Sequence, residues 1–113
     1  MVLADLTPAE RGVVWECLRA AAHGPFFPDC EFQTIFGLER SEVAAIADDA
    51  PNIDDTIEDV SLAINNSMNN LLGYPHRQEQ VWAEWISVSG DEVARIFVKW
   101  RGNRPENYFD GLR

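Results

Sequence analysis

The segment that most limits how this chain can fold is residues 55–75, DTIEDVSLAINNSMNNLLGYP. At a helical turn of about 100° per residue, Ile57, Val60, Ile64, Met68 and Leu71 fall on one side, with Ser61, Ser67 and Leu72 at its edges. Asp55 with Glu58 three places on predicts a capping box, Gly73 predicts a left-handed C-cap, and Pro75 forbids continuation. A rod of about eighteen residues at about 1.5 Å each spans roughly 27 Å, the width of a small domain. These residues therefore predict a central helix over about 55–72, around which the rest of the chain must pack.

The opposite face of that helix carries Asn65, Asn66, Asn69 and Asn70, with Leu62 among them. Asparagine side chains compete for backbone hydrogen bonds, so such a run costs a helix about 1–3 kcal/mol relative to alanine. Something must offset that cost. Either the amides hold the backbone of a neighbouring loop, each supplying donors and an acceptor, or they form a polar recognition strip around Leu62.

Taken in order, the remaining segments also have helical period. Thr7, Pro8 and Glu10 read as N-cap, first helical residue and capping-box partner of a helix that ends at His23, before Gly24-Pro25, with Val14, Leu18 and Ala21 or Ala22 facing inward. Residues 24–37, GPFFPDCEFQTIFG, predict a turn and then one or two helical turns from Asp29, a possible cap, to Phe36. The rings of Phe26, Phe27, Phe32 and Phe36 either plug the core or line a pocket. A third helix is expected over about 39–49, with Val43 and Ile46 inward and Ser41 favoured over Glu39 as its cap. Val81, Trp82, Trp85 and Ile86 follow helical spacing, with a short strand over 85–88 as the competing reading. The last helix starts at Ser89, carries Val93, Ile96, Phe97 and Trp100 on one stripe, and stops at Gly102. Leu6, Leu38 and Val88 each precede a similar helix start, which is a recurring capping device rather than a repeat. The expected fold is all-α, a single domain over 1–113 of five or six short helices around the central one, with a loose tail from about 103 that includes Tyr108 and Phe109.

The chain's 113 residues suffice for one core, and four tryptophans and six phenylalanines supply large pieces for it. Cys17 and Cys30 are too few for a disulfide framework, the opening MVLADLTPAERG lacks the pattern of an export signal, and no apolar run reaches the roughly 18 residues of a membrane span. A cytoplasmic protein with reduced thiols is expected. Net charge is −10, and within 39–59 eight carboxylates face Arg40 alone. Such a surface repels phosphate backbones, which argues against nucleic acid, and steers basic partners.

Catalytic and metal-binding motifs are missing. Cys17, His23, Cys30 and His76 lack the close pairs of zinc sites, and the acidic run 48–55 lacks the turn glycine of a calcium loop. No cofactor or metal is expected. The favoured expectation is a small non-enzymatic protein that binds another protein with a basic surface, in the manner of an immunity protein, antitoxin or inhibitor, through Asp48, Asp49, Asp54, Asp55, Glu58 and Asp59. The alternative is a small-ligand or regulatory domain with its pocket between the phenylalanines of 26–36 and the asparagine strip. A third reading makes Cys30 a nucleophile with His76 as its base.

Overall fold

Thr7 and Glu10 close a reciprocal box. The Thr7 hydroxyl accepts from the Glu10 N–H at 3.1 Å, and the Glu10 carboxylate accepts from the Thr7 N–H at 2.9 Å. This box starts α1 (Pro8–His23), and Gly24 follows it in an extended conformation. The computed structural model describes residues 3–102, so the expected tail from about 103, with Tyr108 and Phe109, lies outside the described residues. A 3₁₀ turn at Leu3–Asp5 precedes α1, and α2 (Asp29–Phe36), α3 (Arg40–Asp48) and α4 (Glu58–Gly73) follow it. A 3₁₀ turn at Glu79–Val81 runs into α5 (Trp82–Trp85), and α6 (Gly90–Arg101) completes the fold. There is no strand among the described residues, so 81–88 is helical turn and loop. The helices form one compact all-α domain with a radius of gyration of 12.7 Å, and none is long and apolar enough to cross a membrane.

The central helix is shorter and more deeply buried than its sequence predicts. Every residue from Ser61 to Met68 is buried, because α1 and α6 cover the apolar stripe while α2 covers the asparagine face. The Asp55–Glu58 capping box does not form. Ile57 is the N-cap, and Asp55 instead accepts from the Leu3 N–H at 2.8 Å and the Trp100 Nε1–H at 3.0 Å. That carboxylate ties the chain's beginning and the end of α6 to the loop before α4. Ile57, predicted inward, is 54% exposed because it precedes the first helical turn. Gly73 remains helical, and the C-cap is Tyr74 in an extended conformation.

Arg40 explains how the 24–40 region closes. Its guanidinium donates to the carbonyls of Ala21, Ala22 and Phe27, pairs with Asp29 at 2.8 Å and lies 4.5 Å from the Phe32 ring centroid. The carbonyls at the end of α1 are thus capped by a side chain from α3. Asp29 serves this pair rather than capping α2, whose N-cap is Pro28. Glu39, not Ser41, caps α3, and its N–H donates to the Glu42 carboxylate at 3.0 Å. Gly37 ends α2 at φ 72°, a left-handed conformation that favours glycine.

Glu10 also joins α1 to α6. It is buried, and it accepts from Lys99 at 2.7 Å and Arg95 at 2.9 Å. The hydrogen bond from Lys99, then that from the Thr7 N–H, then that from Arg95, hold its carboxyl down at about 2, against an ordinary value of 4.5. A depressed folded-state pKa adds stability above the ordinary value, and that stability is lost as pH falls through the folded one. In melts followed by circular dichroism, Glu10→Gln should therefore lower the midpoint most near neutral pH. Its difference from the native chain should narrow as pH falls from 4.5 and close near 2. A difference that stayed constant over that window would remove the ion pairs from this account.

Candidate functional site

Of the predicted acidic residues, Asp49 at the end of α3 and Asp54 in the following loop are brought to the edge of one crevice. Asp48, Asp49, Asp54, Glu58 and Asp59 are all exposed. Asp48 ends α3, with its carboxylate 3.4 Å from His23 Nε2, and Asp49 is the C-cap of that helix. Asp54 accepts from the Thr56 hydroxyl at 2.6 Å and the Thr56 N–H at 2.9 Å, and both bonds hold its carboxyl below the usual range. Glu58 and Asp59 occupy the first turn of α4, where carboxylates face the positive end of the helix dipole. Asp55 is the exception, because its carboxylate turns inward to Leu3 and Trp100. Arg40, the lone cation in this stretch, also points inward to backbone carbonyls, so its charge leaves the outer surface strongly negative.

An apolar crevice of about 100 Å³ opens among these carboxylates. Ile46 of α3, Ile53 of the loop and Ile57 and Val60 at the start of α4 form its walls, with Asp49 and Asp54 at its edge. The helix periodicity placed Ile46 and Ile57 in the core, and Ile53 was hidden inside an acidic loop. The signal for the crevice was that single isoleucine in DDAPNIDD, an apolar residue that nothing in the loop itself could cover.

The asparagine strip is elsewhere and faces inward. Asn66 Nδ2 donates to the Phe36 carbonyl at 2.8 Å and Asn70 Nδ2 to the Ile35 carbonyl at 3.2 Å, so α4 caps the C-terminus of α2 across the helix interface. Asn65 Nδ2 donates to Asn66 Oδ1 at 3.0 Å. Leu62, Asn65 and Asn66 are buried and Asn69 is half-buried beside them. Among the described residues the phenylalanines of 26–36 are packed together and covered. Phe32 and Phe36 stack at 4.2 Å, Phe27 lies edge-on to Phe36 at 5.2 Å, and all four rings are buried. The 24–37 segment is a plug.

The predicted nucleophile and base do not form a working pair. Cys30 is exposed, while Cys17 is fully buried and its thiol is pushed well up by desolvation. His76 has both ring nitrogens engaged. Nδ1 accepts from the Gln78 N–H at 3.0 Å, which places the proton on Nε2, and Nε2 donates to the Leu71 carbonyl at 3.1 Å. That bond caps α4 where Gly73 does not, and it leaves the imidazole no lone pair with which to take a thiol proton. Among the described residues no group of three or more His, Cys, Asp or Glu side chains is arranged to hold a metal ion.

Comparison of the chain with protein-family models, with curated proteins and with solved structures finds no match.

Proposed function

We propose that this is a non-enzymatic binding protein whose acidic-rimmed crevice receives a basic segment of another protein, with an inhibitor or antitoxin as its nearest functional type. The observation that carries this reading is the exposed Ile57, standing with Ile46, Ile53 and Val60 in an apolar crevice edged by Asp49 and Asp54. Apolar anchors surrounded by a polar rim are how small interfaces concentrate their affinity, and the rim charge sets on-rate and partner choice. A partner of matching chemistry inserts one aliphatic or aromatic side chain between flanking lysines or arginines. Nucleic acid is disfavoured by the same carboxylates. The proposed compartment is the cytoplasm, where Cys17 and Cys30 remain thiols.

The test begins with capture from native extract at low salt and continues with the captured partner in pure form. Asp49→Lys with Asp59→Lys leaves the contacts of Asp55 and Asp54 untouched and is expected to weaken the complex by about tenfold, mainly through slower association and a shallower salt dependence. Ile57→Asp should weaken it at unchanged helix content, because that side chain is largely in solvent in the free protein. Unchanged affinity in both variants would discard the crevice as the binding surface.

A further inference from the structure

At the other end of α4 lies a second, larger opening of about 390 Å³, within the range of small-molecule sites. Leu71 and Leu72 form its apolar side, Tyr74, His76 and Trp82 contribute rings, and Glu79 contributes a carboxylate. The polar atoms of those rings are already committed. The Tyr74 hydroxyl donates to Glu31, Trp82 Nε1 donates to the Val88 carbonyl at 2.8 Å, and both nitrogens of His76 are engaged as described. Their ring carbons are therefore what the cleft presents. The ring arrangement is itself braced, with His76 stacked near Trp82 at 6.3 Å and edge-on to Phe26 at 4.9 Å.

Glu79 differs from its neighbours. It is exposed, and among the described residues its carboxylate has no hydrogen bond or ion pair. Among the described residues no lysine or arginine lines the cleft. Glu31, held by Tyr74, adds a second negative charge behind the aromatic wall. An apolar wall of ring carbons with a nearby carboxylate selects a cation with an apolar body, and repels an anion of the same shape.

We propose that this cleft binds a small organic ammonium, an arylalkyl or alkyl amine whose charged nitrogen meets Glu79 and whose body lies against Leu72, Tyr74 and Trp82. The site shares no residue with the acidic crevice and does not depend on the reading given to it.

The probes are phenethylamine, 2-phenylethanol and phenylacetate, three molecules of nearly one shape carrying positive, zero and negative charge. Each is titrated into the full-length ¹⁵N-labelled protein and followed by amide chemical shifts. Phenethylamine should give saturable shifts at Leu72, Tyr74, Glu79 and Gly90, with 2-phenylethanol about threefold and phenylacetate about tenfold weaker. Glu79→Gln, a change at a side chain that is exposed and unpartnered among the described residues, should weaken phenethylamine about threefold and leave 2-phenylethanol unchanged. Gly90→Leu provides a second variant. A Cβ there meets nothing closer than Leu72 Cδ2 at 3.7 Å, so a larger side chain can enter the cleft and should abolish all saturable shifts. The proposal is overturned by no saturable shift with phenethylamine, by equal affinity for phenylacetate, by a Glu79→Gln variant that binds the amine as well as the native chain, or by shifts confined to the acidic crevice.

Discussion

Trp100→Ala should lower the free energy of unfolding by about 3–5 kcal/mol, enough to leave a domain of ordinary stability close to unfolded. The indole is fully buried on the inward stripe of α6, and its Nε1–H donates to Asp55, the carboxylate that also holds the Leu3 N–H. Truncation thus opens a large cavity and removes one of the two donors that hold Asp55. Urea titration followed by circular dichroism measures the change. Trp100→Phe keeps most of the ring volume while losing the donor, so it opens a smaller cavity and weights the lost hydrogen bond more heavily. Combined with Asp55→Asn in a double-mutant cycle, it should show a coupling of about 0.5–3 kcal/mol. A coupling near zero would mean that the Asp55 carboxylate does not fasten α6. Asp55 therefore cannot be used as a neutral surface site, and charge reversal there would disturb the fold as well as any interface.

The second large effect is expected at Asn66. Asn66→Ala removes the donor to the Phe36 carbonyl and the acceptor for Asn65 Nδ2, in a site that water does not reach. Two buried polar groups lose a partner at about 1–3 kcal/mol each, so a loss of about 2–5 kcal/mol is expected. Asn66→Asp retains an acceptor for Asn65 but sets a carboxylate against the Phe36 carbonyl, and should be at least as damaging. Asn70→Ala, at a half-buried position with a longer bond, should cost less than Asn66→Ala. The same denaturation measurement ranks the three. Equal and small effects at Asn66 and Asn70 would show that the amides do not hold α2 in place.

These stability effects bear on function through the position of α4. Its N-terminal end supplies Ile57 and Val60 to the acidic crevice, and its C-terminal turn supplies Leu71 and Leu72 to the aromatic cleft. A helix gripped along Ser61–Met68 on all sides holds both ends in fixed relation to their loops. Loosening Asn66 or Trp100 should therefore weaken ligand affinity at either end only as far as it unfolds the protein.

Local signals carried much of the secondary structure. Thr7-Pro8 with Glu10, Ser89 with Glu92, Gly24-Pro25 and Gly37 mark helix limits through bonds made within a few residues, and those limits appear where the sequence placed them. The stripe Val93, Ile96, Phe97, Trp100 was equally legible, since period alone decides which face of a helix is buried. The acidic character of 48–59 was also plain in composition. What local signals could not decide was which polar groups would be needed by distant backbone. Asp55 had the sequence of a helix cap, yet Leu3 and Trp100, 52 and 45 residues away, provide its donors. Asn66 and Asn70 allowed two readings, amides that hold neighbouring backbone or a recognition strip, and they hold backbone because α2 ends against them with its last carbonyls toward their Nδ2 groups. Ile57 and Ile53 were apolar in the sequence, but only the meeting of α3, its loop and α4 left them lining a surface crevice. Helix period and the N-terminal boxes at Thr7 and Ser89 depend on neighbours in sequence, so the chain alone determined them, whereas the ends of α1 and α2 are closed by Arg40, Asn66 and Asn70 from other helices. The use of each carboxylate, amide and exposed isoleucine depends on neighbours in space, and only the packed helices decided it.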